Sequence, residues 1–273
     1  VHGDRWQIGK FDPRRPGLPG YGMQQDNANG LREYYYDAAT GQMLWTHTGE
    51  VTDMARGDAG DMDPRYPGFE VWSFDGVWNG PSGTQITAAG VNPWPCLRLW
   101  WDGDDLCELF NDGKIEEWNY NSSTVGRLVT TWNYETATRS DRGAPMFYGD
   151  IFGDWREETI QTSSDYTKLV IFTTNVPTTR RLYTLAHNPE YRNSMTVKGY
   201  MQSHQVDYYL GDGMTTPPAP NIQLLAAKFN PADIVQDGRI DLFDFAVLAQ
   251  QWMDLPGVPS ADIAPSYGDG IVD

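Results

Sequence analysis

The sequence predicts an all-β protein of the β-propeller type, with a small helical calcium-loop module at its C-terminus. Three observations carry that prediction. Acidic turns headed by Asp61, Asp102 and Asp150 recur at intervals of 41 and 48 residues. That is the length of a propeller blade, a small antiparallel sheet of about four strands. The apolar stretches are short and aromatic, with 11 Trp, 15 Tyr and 10 Phe, and 28 Gly and 18 Pro break them up. Finally, an uncharged proline-rich stretch, Thr215 to Pro220, separates this pattern from a loop of a different kind. Such stretches stay extended and join domains.

Taken in order, Tyr34–Tyr36 and Met43–Trp45 flank Asp37-Ala-Ala-Thr-Gly41. An Asp/Gly turn between aromatic segments is a hairpin signal. The first acidic turn holds Asp61 and Asp63 and leads into a strand, Glu70–Phe74, that opens on Glu70. Leu97–Trp101 precedes the second turn, which holds Asp102, Asp104 and Glu108, and Ile115–Trp118 and Arg127–Trp132 follow as strands. The third turn places Asp150, Asp154, Glu157 and Glu158 around Gly149 and Gly153, ahead of the β-type run Lys168–Thr174. Arg180–Ala186, Met195–Tyr200 and Val206–Leu210 read as further short strands. No long amphipathic helix is expected before residue 240.

The acidic turns suggest a metal. Calcium gathers about six to eight oxygens, and a tight acidic turn supplies several at once. One such turn could equally be solvated; its recurrence favours structural calcium. The candidate ligands are Asp61, Asp63, Glu70, Asp102, Asp104, Glu108, Asp150, Asp154 and Glu157. A formal net charge of −17 agrees with cation binding and argues against nucleic acid, whose phosphates need basic contacts. No apolar run reaches the length of a membrane span. Cys96 and Cys107 read as two reduced structural thiols, with a disulfide as the alternative. The chain opens at Val1 and stops at Asp273 within motifs, so a piece of a longer protein is expected.

After the linker, Asp233 to Asp244 is close to a calcium loop of the EF-hand type. Asp233, Asp237, Asp241 and Asp244 occupy positions 1, 5, 9 and 12, and Gly238 occupies position 6. Val235 at position 3 offers no side-chain oxygen, which should weaken binding. Leu242–Met253 then reads as a helix with Phe245, Leu248, Ala249 and Trp252 on one face. Asp262, Asp269 and Asp273 begin a second, truncated copy.

Residues 1–214 resemble the C-terminal part of polysaccharide lyase family 11, the rhamnogalacturonan lyases. The resemblance rests on Tyr36-Asp-Ala-Ala-Thr-Gly41, Trp100-Trp-Asp-Gly-Asp104, Gly149-Asp-Ile-Phe-Gly-Asp-Trp-Arg-Glu-Glu158, Arg181-Leu-Tyr-Thr-Leu-Ala-His-Asn-Pro-Glu-Tyr-Arg192 and the opening His2-Gly-Asp-Arg5. It implies an eight-bladed propeller that carries Ca2+ and cuts the rhamnogalacturonan I backbone of pectin by β-elimination. Only some of the blades would lie in this chain. It further implies a basic residue just before the Asp-x-Asp-Pro turn, here Arg56, and another in the loop Thr138–Pro145, here Arg142. His2 and Gln202 are the implied substrate contacts, although the residues around Gln202 depart from those of relatives. Residues 215–230 form the linker, and residues 231–273 resemble a type I dockerin, which implies a cohesin-bearing scaffold as partner and a secreted, extracellular protein. The alternative function is a non-catalytic propeller that holds polysaccharide without cutting it.

Overall fold

The computed structural model describes residues 3, 5–137, 143–196, 202–217, 219–221 and 232–252. The chain divides into two compact units, Val1–Pro220 and Asn221–Asp273, so the division falls inside the expected linker.

The first unit contains four antiparallel sheets laid down one after another along the chain. Strands β1 (Trp6–Ile8), β2 (Pro19–Met23), β3 (Leu31–Asp37) and β4 (Met43–Thr48) form the first as a simple meander. The second is β5 (Gly57–Gly60), β6 (Glu70–Ser73), β7 (Gly76–Asn79) and β8 (Thr84–Ala88). The third is β9 (Leu97–Leu99), β10 (Glu108–Phe110), β11 (Lys114–Asn119) and β12 (Thr124–Thr130). The fourth has three strands, β13 (Phe147–Gly149), β14 (Glu158–Thr162) and β15 (Leu169–Phe172). The β3–β4 turn forms as its residues dictate: Asp37 Oδ1 accepts from the Thr40 amide at 2.9 Å, and Gly41 takes φ +73°.

Burial runs across the sheets. Every residue of β2, β5, β6, β9 and β10 is buried, whereas β4, β8 and β12 are largely exposed. Strand β5 touches β1 and β2 on one side and β9 on the other. Its sequence, Gly-Asp-Ala-Gly, has poor β-propensity, and close approach explains it. A side chain at Gly57 would run into Tyr21 and one at Gly60 into Arg98.

Two of the expected strands do not form. Residues 180–186 and 206–210 carry no ladder, and 185–187 is a single 3-10 turn followed by a short helix, α1 (Pro189–Ser194). Side chains tie this chain down instead. The Thr178 hydroxyl donates to the Gly103 carbonyl at 2.5 Å, Arg180 pairs with Asp105, and the Asp212 amide donates to Asp61 at 2.8 Å. Leu185, Tyr209 and Leu210 are thereby buried without a sheet, and the apolar pattern imitates a strand. The expected strand Met195–Tyr200 falls mostly outside the described residues. Cys96 and Cys107 are free thiols, and both are buried.

A buried polar group lies among the first strands. Arg5 faces Asp58 at 3.7 Å, Ser203 donates to Asp58 at 2.6 Å, and Arg98 faces Glu157 at 3.6 Å. The segment Gln202–Gln205 is buried beside these groups, and His204 stacks on Tyr148 with ring centroids 3.9 Å apart.

In the second unit, Asp233 accepts from the amides of Asp237 at 3.1 Å and Gly238 at 2.9 Å. Helix α2 (Leu242–Gln251) starts at a capping box between Asp241 and Asp244. Its packing differs from expectation. Val247 and Leu248 lie on Ile234, while Phe245 and Trp252 are exposed, because Ile234 is the buried apolar residue the described part of this unit offers them.

Candidate functional site: acidic turns on one edge, basic and aromatic residues on the other

The first strands of the sheets have two ends, and different chemistry gathers at each. The acidic turns follow β5, β9 and β13. In each, a glutamate opening the second strand turns back and accepts two backbone amides. Glu70 takes those of Met62 (3.1 Å) and Asp63 (3.0 Å), Glu108 those of Trp101 (2.8 Å) and Asp102 (3.2 Å), and Glu158 those of Ile151 (2.9 Å) and Phe152 (3.2 Å). The turns therefore share one glutamate cap, set by Glu70, Glu108 and Glu158, with one more residue between the cap and its amides in the first turn than in the other two. The first sheet has Gly20, paired to Ile8, where the others have this glutamate.

This register revises the reading of the third turn. The counterpart of Glu70 and Glu108 is Glu158. Glu157 points elsewhere: it accepts from the Trp100 amide at 3.0 Å and the Tyr191 hydroxyl at 2.7 Å, and it faces Arg98 and His204. The lead aspartates are not all equivalent either. Asp61 and Asp150 each precede the first held amide, a place that Trp100 takes in the second turn. Both reach outward to irregular chain. Asp61 accepts from Tyr209 and the Asp212 amide, and Asp150 from Thr184 (2.7 Å) and the Leu185 amide (2.8 Å). Burial pushes the Asp61 carboxyl up to about 7.

A second repeated device separates the turns. Two of them, and the chain after β1, carry an Asp-x-Arg clasp, in which the aspartate accepts both the amide and the guanidinium of the arginine two residues on. The pairs are Asp12–Arg14, Asp63–Arg65 and Asp154–Arg156. In the 102–108 turn the amide bond survives, Leu106 to Asp104 at 2.7 Å, but the residue is a leucine. Here alone among the described residues do three acidic groups converge, with oxygens of Asp102, Asp104 and Glu108 within 4.8 Å of one another. Burial, followed by the charge of Asp102, pushes Asp104 up to about 6, and burial pushes Glu108 well above its usual value. An all-oxygen set of this kind suits a hard cation. A cavity of about 730 Å³ adjoins it, lined in part by Asp105, Arg180 and Asp212.

The other edge precedes the first strands. Arg56 is half-buried immediately before β5 and follows Ala55, which is held at φ +48°. The four residues of β5 separate it from Asp61 by roughly 15 Å. Arg142 and the loop 138–142 precede β13, but they lie outside the described residues, as do His2, Asp262, Asp269 and Asp273. Gln202 is buried and donates to the Trp6 carbonyl at 2.8 Å. The exposed rings of Trp6, Trp94 and Phe147 stand at or just before the starts of β1, β9 and β13. The sequence reading passed over these rings and the clasp arginines. The Asp-x-Arg spacing was visible in the chain; the exposure of the rings was not.

Comparison with known proteins places this architecture. Residues 1–220 match the family described as rhamnogalacturonan lyase family 11, C-terminal domain. The chain belongs to that family. It is 38% identical over 224 residues to the rhamnogalacturonan endolyase YesW of Bacillus subtilis (strain 168), covering 81% of this chain and 35% of that protein. It is 34% identical over 245 residues to the rhamnogalacturonan exolyase YesX of the same organism, covering 83% and 40%. The crystal structure of YesW superposes with a TM-score of 0.76 at 36% identity, covering 81% of this chain and 38% of that one. A Bacillus licheniformis rhamnogalacturonan lyase gives 0.76 at 35% identity, with the same coverage. The chain thus spans 35–40% of the length of these curated relatives.

Proposed function

We propose that this chain is the C-terminal part of a secreted rhamnogalacturonan lyase that cuts the rhamnogalacturonan I backbone by β-elimination at galacturonate. The observation that carries the reading is the family match over residues 1–220. In such a reaction a base takes the C5 proton, the electron pair forms the C4–C5 double bond, and the C4 oxygen leaves and is protonated. The C5 proton is acidic enough only when the neighbouring carboxylate is neutralised. Arg56 suits that task, since a guanidinium binds a carboxylate through two parallel hydrogen bonds. Arg142 is the second basic group, assigned to the proton. Neither role needs the acidic turns, which lie at the opposite ends of the first strands.

In this reading the four sheets are successive blades of an eight-bladed propeller. Their sequential meanders, each grading from buried to exposed, and the contacts of β5 with strands of both flanking sheets support it. Asp102, Asp104 and Glu108 hold Ca2+, which would supply a structural clip for the turn. The Asp233–Asp244 loop and α2 form half of a dockerin-like module, and its partner is a cohesin-bearing scaffold.

The test follows the ultraviolet absorbance of the unsaturated uronate with the intact gene product. Rhamnogalacturonan I and unbranched polygalacturonate are offered in turn, with calcium and with chelator. The reading expects a rise on rhamnogalacturonan I, with chelator acting only through loss of folded protein, and little rise on polygalacturonate. Binding of rhamnogalacturonan I with no rise would instead favour the non-catalytic module.

A further inference from the structure

The basic edge carries two exposed tryptophans whose exposure the fold does not explain. Trp6 is 48% exposed and Trp94 is 52% exposed. Their placement relative to Arg56 follows from the strand pairing. Gly57 pairs with Ser73 in the β5–β6 ladder, so the next residues outward, Arg56 and Phe74, are neighbours across it. The Phe74 ring meets the Trp94 ring edge-on, with centroids 5.0 Å apart. From a second direction, burial pushes the Cys96 thiol up while the charges of Arg5 and Arg56 draw it down, and Cys96 lies two residues from Trp94. On the other side of β5 lies β1, and Trp6 opens that strand. The carbonyl of Trp6 is held by the buried Gln202, which gives this residue a fixed backbone.

We propose that Trp94 and Trp6 are aromatic sugar-binding platforms on either side of Arg56, which lay a uronate-containing polysaccharide across the starts of β1, β5 and β9. The occupant follows from the chemistry of the three residues. A flat ring presents an apolar face to the C–H face of a pyranose, and an arginine between two such rings binds a carboxylate. A uronate matches both features, since it offers pyranose faces to the rings and a carboxylate to the guanidinium. Phe74 braces Trp94 edge-on and limits its rotamers, which lowers the cost of ordering it on binding. The exposed Phe147 at the start of β13 extends the same edge toward the fourth sheet.

This inference rests on the polysaccharide reading above, and the experiment separates the two. Trp94→Ala, Trp6→Ala, Trp94→Phe and Tyr183→Ala are made in the intact gene product. Tyr183 is equally exposed but lies next to Thr184, which binds Asp150 on the acidic-turn edge. Retardation in gels containing rhamnogalacturonan I gives affinity whether or not the protein cuts, and initial rates give KM and kcat. Losing one stacked ring should weaken binding about fivefold to tenfold. We expect that loss in binding and KM for Trp94→Ala and Trp6→Ala, with kcat within about twofold. Trp94→Phe should retain most of the affinity, and Tyr183→Ala all of it. Unchanged retardation and KM in both alanine variants, from a wild type that binds, would overturn the platform proposal and leave the lyase reading standing. A wild type that neither binds nor cuts rhamnogalacturonan I would overturn both.

Discussion

The turn at 61–70 and the turn at 102–108 share one glutamate cap and differ in the charges gathered beside it. In each, a buried glutamate takes two consecutive amides, and an aspartate takes the amide two residues on. In the first, Arg65 lays its guanidinium on Asp63, so the chain brings its own cation. In the second, Asp104 follows Asp102 where Arg65 follows Asp63, Leu106 stands two residues beyond Asp104, and Asp102, Asp104 and Glu108 converge without a cation. A repeat that copies a glutamate cap thus does not copy the charges gathered beside it. The calcium proposed at the second turn would supply there the charge that Arg65 supplies at the first.

The comparison can be broken most forcefully at what the turns share. Glu70→Ala or Glu108→Ala strands two buried amides, each costing about 1–3 kcal/mol. Denaturant unfolding should show a loss of roughly 2–6 kcal/mol for either, and only Glu108→Ala should also abolish any response to calcium. Equal calcium responses in the two variants would erase the distinction. Next in size is Asp61. Burial raises its carboxyl to about 7, so the folded state holds that proton more tightly than the unfolded one. Its stabilising contribution is therefore complete below about pH 4 and is lost as pH rises to about 7, up to about 4 kcal/mol in all. In chelator, Asp61→Asn should flatten the melting-temperature profile across that window.

Smaller effects sharpen the difference between the turns. Leu106→Arg should install the clasp and remove the gain in stability that calcium gives, about 2.7 kcal/mol at a hundredfold excess over Kd. Arg65→Leu removes the cation of the first turn. The Asp63–Arg65 pair is half-exposed on its arginine side, so its loss in chelator should be near 1 kcal/mol or less. Added calcium should restore that loss, and scanning calorimetry with and without calcium reads both changes.

The sequence was most legible where one residue type has one structural use. The Asp37–Gly41 hairpin, the three acidic turns and the sequential sheets follow from turn chemistry and spacing. The strand β5 was not legible, because Gly-Asp-Ala-Gly is a strand only where Tyr21 and Arg98 need the room. The strands expected at 180–186 and 206–210 failed for the opposite reason: their apolar residues are buried by side-chain ties from Thr178, Arg180 and Asp61, which alternation cannot reveal. Spacing alone points to Glu157, one residue before the cap, Glu158. Both are buried, and only the β13–β14 register, Gly149 opposite Glu158, tells which one caps the turn. At the basic edge, Arg56 was named from the resemblance, while the flanking Trp6 and Trp94 needed the exposure and the ladder to be noticed.

The central claim is that chemistry and cation occupy opposite edges of the same strands. The most direct test measures, in the intact gene product, both the lyase rate at a temperature well below unfolding and the melting temperature, for Arg56→Ala and Glu108→Gln. The account expects Arg56→Ala to lower kcat/KM by at least about a hundredfold with an unchanged melting temperature. It expects Glu108→Gln to lower the melting temperature and its calcium response with a rate within a few-fold of wild type. A Glu108→Gln protein that stays folded at the assay temperature yet loses its rate as Arg56→Ala does would contradict it.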